Sequence, residues 1–276
     1  MLHYLIACDL DGSLLNNQSE FTEKTKKVLR HLHEQGHKIV IATGRPFGGS
    51  IHLYEDLNIP NPMINDNGAA IENPFNTSFP KQRTQIPLAI MHDLFRFTQP
   101  FLRSAFFSID KTVYGYHYEP RLERYFAGIN FSDTVIDKPF TELDVEPSGM
   151  IFLVDAKKQA TLENYIDQSY DNHITYRLWG ADRKNAIYEI YLRHVSKDSA
   201  IQYLLKYYNY EPHQLMTFGD GINDIEMIRN AGLGVMMKNG VDELKPVAKD
   251  ITEFTNNEDG IAEYLIKFFN LKLDFE

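Results

Sequence analysis

Two short acidic segments carry the clearest chemical signal in this chain. Asp9-Leu10-Asp11-Gly12-Ser13 follows directly on the apolar run Tyr4–Cys8. In extended backbone, side chains two residues apart point the same way, so Asp9 and Asp11 face one side together. Two carboxylates this close repel, which raises one pKa and leaves an ionised group beside one able to hold a proton. Nucleophilic attack with general-acid help needs that pairing. Taken alone, the segment also reads as an Asp-Gly turn closing a strand. Far along the chain, Gly219-Asp220-Gly221-Ile222-Asn223-Asp224 again follows an apolar run, Leu215–Phe218, and opens a helix. Ligands of open α/β sheets gather at the carboxyl ends of strands, so these acids are expected beside Asp9 and Asp11. So much negative charge requires a hard divalent cation. A site that must also admit an anion favours Mg²⁺ with retained waters over a closed Ca²⁺ cage. The EF-hand pattern fails, because Ala231 stands where the twelfth-position Glu belongs. By itself the second segment equally fits a helix capped by Asn223 or Asp220.

Three weaker signals accompany these. Thr43-Gly44-Arg45-Pro46 ends another apolar run, and a hydroxyl with free backbone N–H groups at such a turn suits a phosphate oxyanion. A capped turn has the same appearance, and the segment is neither a Walker loop nor a dinucleotide fingerprint. Lys197 precedes a helix over Ala200–Tyr207, where a cation at the start opposes the dipole and calls for an anionic partner; seen alone, it reads as a solvated surface lysine. His31, His33 and His37 lack the spacing of a zinc site and read as a solvated helix end.

These residues need elements to hold them. Tyr4–Cys8 and His37–Ala42 are strands covered on both faces, with a helix over Thr22–Gln35 between them that Gly36 stops. Strand, helix, strand in this space is a βαβ unit and implies a parallel sheet. Asn67-Gly68 marks a hairpin turn. The alternation returns with a strand at Leu215–Phe218, a helix at Asn223–Asn230 and a strand at Leu233–Met236. Helices over Asp242–Lys249 and Gly260–Phe269 follow. The middle differs in kind. Thr112–Tyr118 alternates with period two, as a half-buried antiparallel strand does, and its Tyr114, Tyr116 and Tyr118 read as core packing. Strands at Met150–Val154 and Ile187–Leu192 and helices at Ala89–Phe97 and Gln159–Tyr170 complete an α+β module inserted into the α/β domain.

Composition narrows the partners. With 276 residues, 43% hydrophobic, the chain can bury a substantial core. Its 28 basic and 38 acidic residues leave a net charge of −10, which disfavours nucleic acid. The single Cys8, in an apolar run, reads as a buried small hydrophobe in a reducing compartment. No stretch is long and apolar enough for a bilayer, and the amino-terminus lacks a basic leader. The expectation is a soluble, cytoplasmic protein that binds neither membrane nor nucleic acid, with nothing pointing to a protein partner.

Taken in order, Asp9-Leu-Asp11-Gly-Ser-Leu-Leu, Thr43-Gly-Arg-Pro, Lys197 and Gly219-Asp220-Gly-Ile-Asn223-Asp224 resemble the haloacid dehalogenase superfamily, in particular its Cof-type sugar-phosphate phosphatases. Tyr188-Glu189-Ile190, Ala231-Gly232-Leu-Gly-Val and Glu258-Asp259-Gly260-Ile261 match as well. The resemblance implies a doubly wound, Rossmann-like α/β core at 1–82 and 186–276, with an α+β cap that selects substrate at 83–185. It implies Asp9 as the nucleophile that becomes an aspartyl phosphate and Asp11 as the acid/base. Thr43, Gly44, Lys197 and Asn223 would hold the phosphoryl oxygens. Mg²⁺ would be bound by Asp9, the Asp11 carbonyl, Asp220 and Asp224. Arg45 and the Trp179–Lys184 loop are candidates for contact with the leaving group of a small phosphorylated metabolite. Ser13 stands where Thr is commoner, and Met237-Lys238-Asn239-Gly240 departs from the usual Gly-Asn-Ala, adding a cation near the site's rim. The implied activity is phosphomonoester hydrolysis. A phosphotransferase or mutase is the nearest alternative, and a phospho-accepting regulatory protein the rival from another class.

Overall fold

The structure, a computed structural model, describes residues 2–117, 119 and 133–274. The chain begins with β1 (Leu5–Cys8), α1 (Glu23–Glu34), β2 (Lys38–Ile41), α2 (Phe47–Leu57), β3 (Met63–Asn65) and β4 (Ala70–Glu72). The middle runs β5 (Gln82–Arg83), α3 (Leu88–Thr98), β6 (Leu102–Ile109), β7 (Thr112–Tyr116), β8 (Asp133–Ile136), β9 (Gly149–Asp155), α4 (Gln159–Tyr170), β10 (Ile174–Ala181) and β11 (Asn185–Leu192). It closes with α5 (Lys197–Tyr208), β12 (Leu215–Gly219), α6 (Ile225–Asn230), β13 (Leu233–Met236), β14 (Asp250–Ile251) and α7 (Gly260–Phe269).

Two compact units result. The core unit comprises Met1–Arg45, Ile51–Gln82 and Ser196–Glu276, and the inserted unit Pro46–Ser50 and Arg83–Val195. The core sheet is parallel in the order β14-β13-β12-β1-β2, and a parallel bridge from Ala42 to Ile64 adds β3 outside β2. Counted within this unit, the order is the doubly wound one, with the direction of winding reversing between β1 and β12. Leu5 and Ala7 point to the face covered by Ile201, Leu204 and Leu205 of α5 and Met227 and Ile228 of α6. Cys8 and Phe218 point the other way, where Tyr264 of α7 meets the Phe218 ring at 5.4 Å. Thr22 caps α1 by accepting the Thr25 N–H, and the buried Val28, Leu29 and Leu32 form its inner stripe.

The inserted unit has its own sheet, β10-β11-β9-β6-β7-β8, antiparallel except for the β7–β8 pair. Tyr114 stacks on Phe107 at 4.9 Å and Tyr116 meets Phe95 at 4.8 Å, so the tyrosine stripe is packing, with Tyr118 outside the described residues. Three sequence expectations need correction. β11 pairs along its length with β9 and β10, which carries the second border from 185/186 to 195/196. Trp179 and Gly180 lie in β10 and not in a loop, because bonding to β11 continues past a bulge at Leu178/Gly180. Asp242–Lys249 forms only a single turn at Asp242–Leu244, since Pro246 cannot donate a helical hydrogen bond.

Candidate active site

β1 and β12 lie side by side in register, Cys8 opposite Phe218, and the functional residues continue from their carboxyl ends. Ligands of doubly wound sheets collect in the crevice where the strand order reverses, and Asp9 and Asp220 stand at that point. Asp9 is anchored by its N–H to the Phe218 carbonyl at 3.0 Å. Leu10–Leu14 then coils tightly, with Gly12 at φ +77°. Any side chain at position 12 would collide with Asp220, whose Oδ2 lies 2.2 Å from where a Cβ would be. Glycine here lets the two acidic segments meet. Ser13 donates its hydroxyl to Asp220 Oδ1 at 3.1 Å and ties the segments further.

Lys197 is the first residue of α5, whose start is fixed by the reciprocal Ser196–Ser199 capping bonds. Its side chain is buried, and Nζ lies 2.5 Å from Asp9 Oδ1 and 2.7 Å from Asp224 Oδ1. These are the anionic partners that a lysine at a helix start requires. Burial alone would lower the ammonium's pKa, but the Asp224 and Asp9 carboxylates more than offset this and hold it charged. Asp224 Oδ2 accepts the N–H groups of Asp220 and Gly221, each at 2.9 Å, so the carboxylate shapes its own loop while it neutralises Lys197.

The remaining charges do not balance. Burial raises Asp9 well above an ordinary carboxylate; Lys197 opposes the shift, while Asp224 and Asp220 add to it. Burial and then Asp224 push Asp220 up to about 6. Oxygens of Asp9, Asp220 and Asp224 lie within 4.8 Å of one another. Three carboxylates against one ammonium leave an excess of negative charge on hard oxygen donors. This donor set fits a divalent cation of the Mg²⁺ kind.

Asp11, by contrast, is half exposed, and Arg45 grips it through Nε to Oδ2 at 2.8 Å and Nη2 to Oδ1 at 2.5 Å. Thr43 is buried, and its hydroxyl accepts the Arg45 N–H at 3.0 Å. Gly44 leaves room for the Asn67 amide, which sits 3.0 Å from where a Cβ would be. Asn223 donates from Nδ2 to Asn67 Oδ1 at 3.0 Å. Thus Asp9, Asp220, Asp224 and Lys197 form one contacting cluster, while Asp11 pairs separately with Arg45, and the Thr43-Gly44 turn and Asn223 are linked through Asn67. Lys238 is exposed, its N–H bonded to Thr252.

Sequence reasoning passed over two asparagines. Asn239 donates to the Gly12 carbonyl at 2.8 Å and accepts the Asn256 N–H at 2.9 Å, bracing the loop that carries Asp11. Its place in a segment departing from the usual pattern was the available signal. Asn67 was legible only as half of an Asn-Gly turn.

A family model described as haloacid dehalogenase-like hydrolase matches residues 6–265. The chain belongs to the haloacid dehalogenase-like hydrolase family. It is 29% identical over 270 residues to a 5-amino-6-(5-phospho-D-ribitylamino)uracil phosphatase of Bacillus subtilis (strain 168), covering 97% of this chain and 98% of that one. A second phosphatase of the same description and organism is 28% identical over 265 residues, 94% of this chain and 93% of the relative. Among solved structures, a haloacid dehalogenase-like hydrolase from Bacteroides thetaiotaomicron superposes with a TM-score of 0.82 at 23% identity, over 97% of this chain and all of that one. This member of the family is therefore an enzyme of the phosphatase type. Among the described residues, no helix is long and apolar enough to cross a membrane.

Proposed function

We propose that this hydrolase cleaves phosphate monoesters of small, hydroxyl-rich metabolites, with Asp9 as nucleophile and Asp11 as acid/base. The observation that carries the reading is the buried Lys197 between Asp9 and Asp224, with Asp11 two residues beyond Asp9 on an accessible loop. An Asp9 oxygen forms a bond to phosphorus as the ester P–O bond breaks, and Asp11 gives its proton to the departing oxygen. Asp11 then takes a proton from water, which attacks the aspartyl phosphate, frees Asp9 and releases inorganic phosphate. Thr43, Gly44 and Asn223 offer donors to the phosphoryl oxygens, and Lys197 offsets charge beside the nucleophile. Mg²⁺ held by Asp9, Asp220, the Asp11 carbonyl and Asp224 supplies further charge neutralisation when bound.

The substrate class rests on the relatives that dephosphorylate a ribityl-bearing pyrimidine and on a cavity of about 520 Å³ beside Asp11 and Gly12. Beside Asp11, the lining by Asn16, Asn17, Ser19, Thr255 and Asn257 is polar and uncharged, which suits hydroxyl groups better than apolar ones. The inserted unit is proposed to select among such leaving groups, and the cytoplasm is the proposed compartment, in keeping with a single buried thiol. A screen of sugar, polyol, nucleoside and aryl phosphates, with Mg²⁺ and with excess chelator, tests the reading. Phosphorylated polyols are expected to lead, and chelator to abolish turnover. Asp9→Asn is expected to lose at least about 1,000-fold in kcat while remaining folded. Near-normal turnover in Asp9→Asn, or full activity in chelator, overturns the mechanism.

A further inference from the structure

We infer that Asn67 is a positioning residue of the phosphate-binding site, its amide locking Asn223 against the Thr43-Gly44 turn. The inference rests on the proposed function and adds to it a component from outside the four recognised segments. The turn Asp66–Gly68 joins β3 to β4, and its backbone is unusual: Asp66 at φ +49°, Asn67 at +53° and Gly68 at +107° are all left-handed. Asp, Asn and Gly are the residues that tolerate such backbone, so closing the hairpin explains the residue types but not the use of this side chain. Any of the three would serve the turn at position 67.

Two bonds of Asn67 reach beyond the hairpin. Its N–H goes to the Thr43 carbonyl at 3.1 Å, and the neighbouring Asp66 N–H and Asn65 side chain both reach the Arg45 carbonyl, each at 3.1 Å. The turn and the end of β3 therefore hold the proposed phosphate loop through the Thr43 and Arg45 carbonyls. On the far side, Gly68 lies so close to the start of α5 that a Cβ would come within 2.1 Å of the Ser196 carbonyl oxygen. One turn thus touches the segment of Thr43 and the segment of Lys197.

The Asn67 side chain adds the third. It is largely buried, packs on Gly44, and accepts a hydrogen bond from Asn223 Nδ2. At its other end the Asn223 amide uses space that Gly221 leaves open, its Oδ1 standing 2.7 Å from where a Cβ would lie. An amide nitrogen has two hydrogens. With one committed to Asn67, the second has a defined direction and can serve a phosphoryl oxygen without first searching for an orientation, which is how preorganised donors gain their effect.

The test is a double-mutant cycle in the full-length protein, with p-nitrophenyl phosphate as substrate and orthovanadate as the phosphoryl analogue. Asn67→Gly removes the amide but keeps left-handed backbone available, so the turn itself is spared. Asn67→Gly is expected to lower kcat/KM by about 10- to 100-fold and weaken vanadate inhibition by at least about tenfold. Because both residues act through one amide, combining it with Asn223→Ala should cost no more than about threefold beyond the worse single variant. A lowered melting temperature with vanadate inhibition intact assigns Asn67 to folding alone and overturns the inference. So do fully multiplicative losses, which would mean the two side chains act separately. A wild type inert toward every phosphate ester removes the proposed function and this inference together, whereas an active wild type with either adverse result removes this inference alone.

Discussion

Lys197 shows how much of the site is an electrostatic problem solved by one side chain. It is buried with two carboxylates against its ammonium, and a third, Asp220, is close by. Removing one partner of a buried charge cluster costs more than the pair itself is worth, because the remaining charges stay desolvated and unpaired. Lys197→Met keeps most of the volume and removes the charge. It is expected to lower unfolding free energy by about 3–5 kcal/mol at neutral pH. The same reasoning makes the loss partly reversible. A cation that binds the folded carboxylates stabilises by mass action, so added Mg²⁺ should raise the denaturation midpoint more in Lys197→Met than in wild type. Urea titrations with and without Mg²⁺ measure both effects. A variant as stable as wild type, or one whose loss ignores Mg²⁺, would show that Lys197 does not hold the carboxylates together.

At the scale of elements, the ends of strands matter more than their middles. His37 enters β2, and its ring is buried, with Nδ1 accepting the Tyr4 N–H at 3.1 Å. Its Nε2 has no hydrogen-bond partner and the ring lies 4.7 Å from Phe269, so the site accommodates a neutral imidazole far better than a cation. Burial first, and the nearby His3 second, lower its pKa from 6.5 to about 4. A depressed value means that folding favours the neutral form. The contribution is complete above pH 6.5 and is lost as the pH falls toward 4. His37→Asn retains an acceptor for Tyr4 but cannot titrate. The stability advantage of wild type over this variant is therefore expected to shrink by about 2 kcal/mol between pH 6.5 and pH 4.5. Paired urea midpoints at the two pH values check it, and a constant difference would mean His37 is already protonated in the fold. Periodicity revealed β1, α1, β2, β12 and β13 because each buries a continuous or regular apolar set. It did not reveal α2, which opens with Phe47-Gly-Gly, or β10, whose second half, Leu178-Trp179-Gly180-Ala181, is exposed and shows no alternation. Nor could it reveal the partner of Asn223, which lies 156 residues away and meets it only once the sheet has formed.

For the whole molecule, the telling fact is how the chemistry is distributed between the two units. Asp9, Asp11, Thr43, Gly44, Lys197, Asp220, Asn223 and Asp224 all belong to the core unit. That unit has its own parallel sheet and its own apolar cluster, running from Leu5 and Val40 to Leu204 and Met227. The inserted unit has a separate sheet and an aromatic interior in which Phe95, Phe107 and Phe140 meet at ring distances of 5.0–5.2 Å. The sequence displayed this division because chemical motifs cluster at both ends of the chain, but it misplaced the second border. Ile187–Leu192 reads like a core strand, and its pairing with β9 and β10 assigns it to the insertion. The border decides the experiment. Excision at 83–185 would leave β11 without partners, exposing a strand edge to aggregation. Excision at 83–195, bridged by a short Gly/Ser linker, removes a complete sheet. On the proposed division of labour, the shortened protein should still hydrolyse a minimal aryl phosphate slowly. Its preference for the best metabolite should collapse, since the unit proposed to select the leaving group would be gone. Specificity ratios for the two substrates in full-length and shortened proteins are the measurement. An undiminished metabolite preference in the shortened form would locate selection in the core unit, with the polar cavity beside Asp11 as its source.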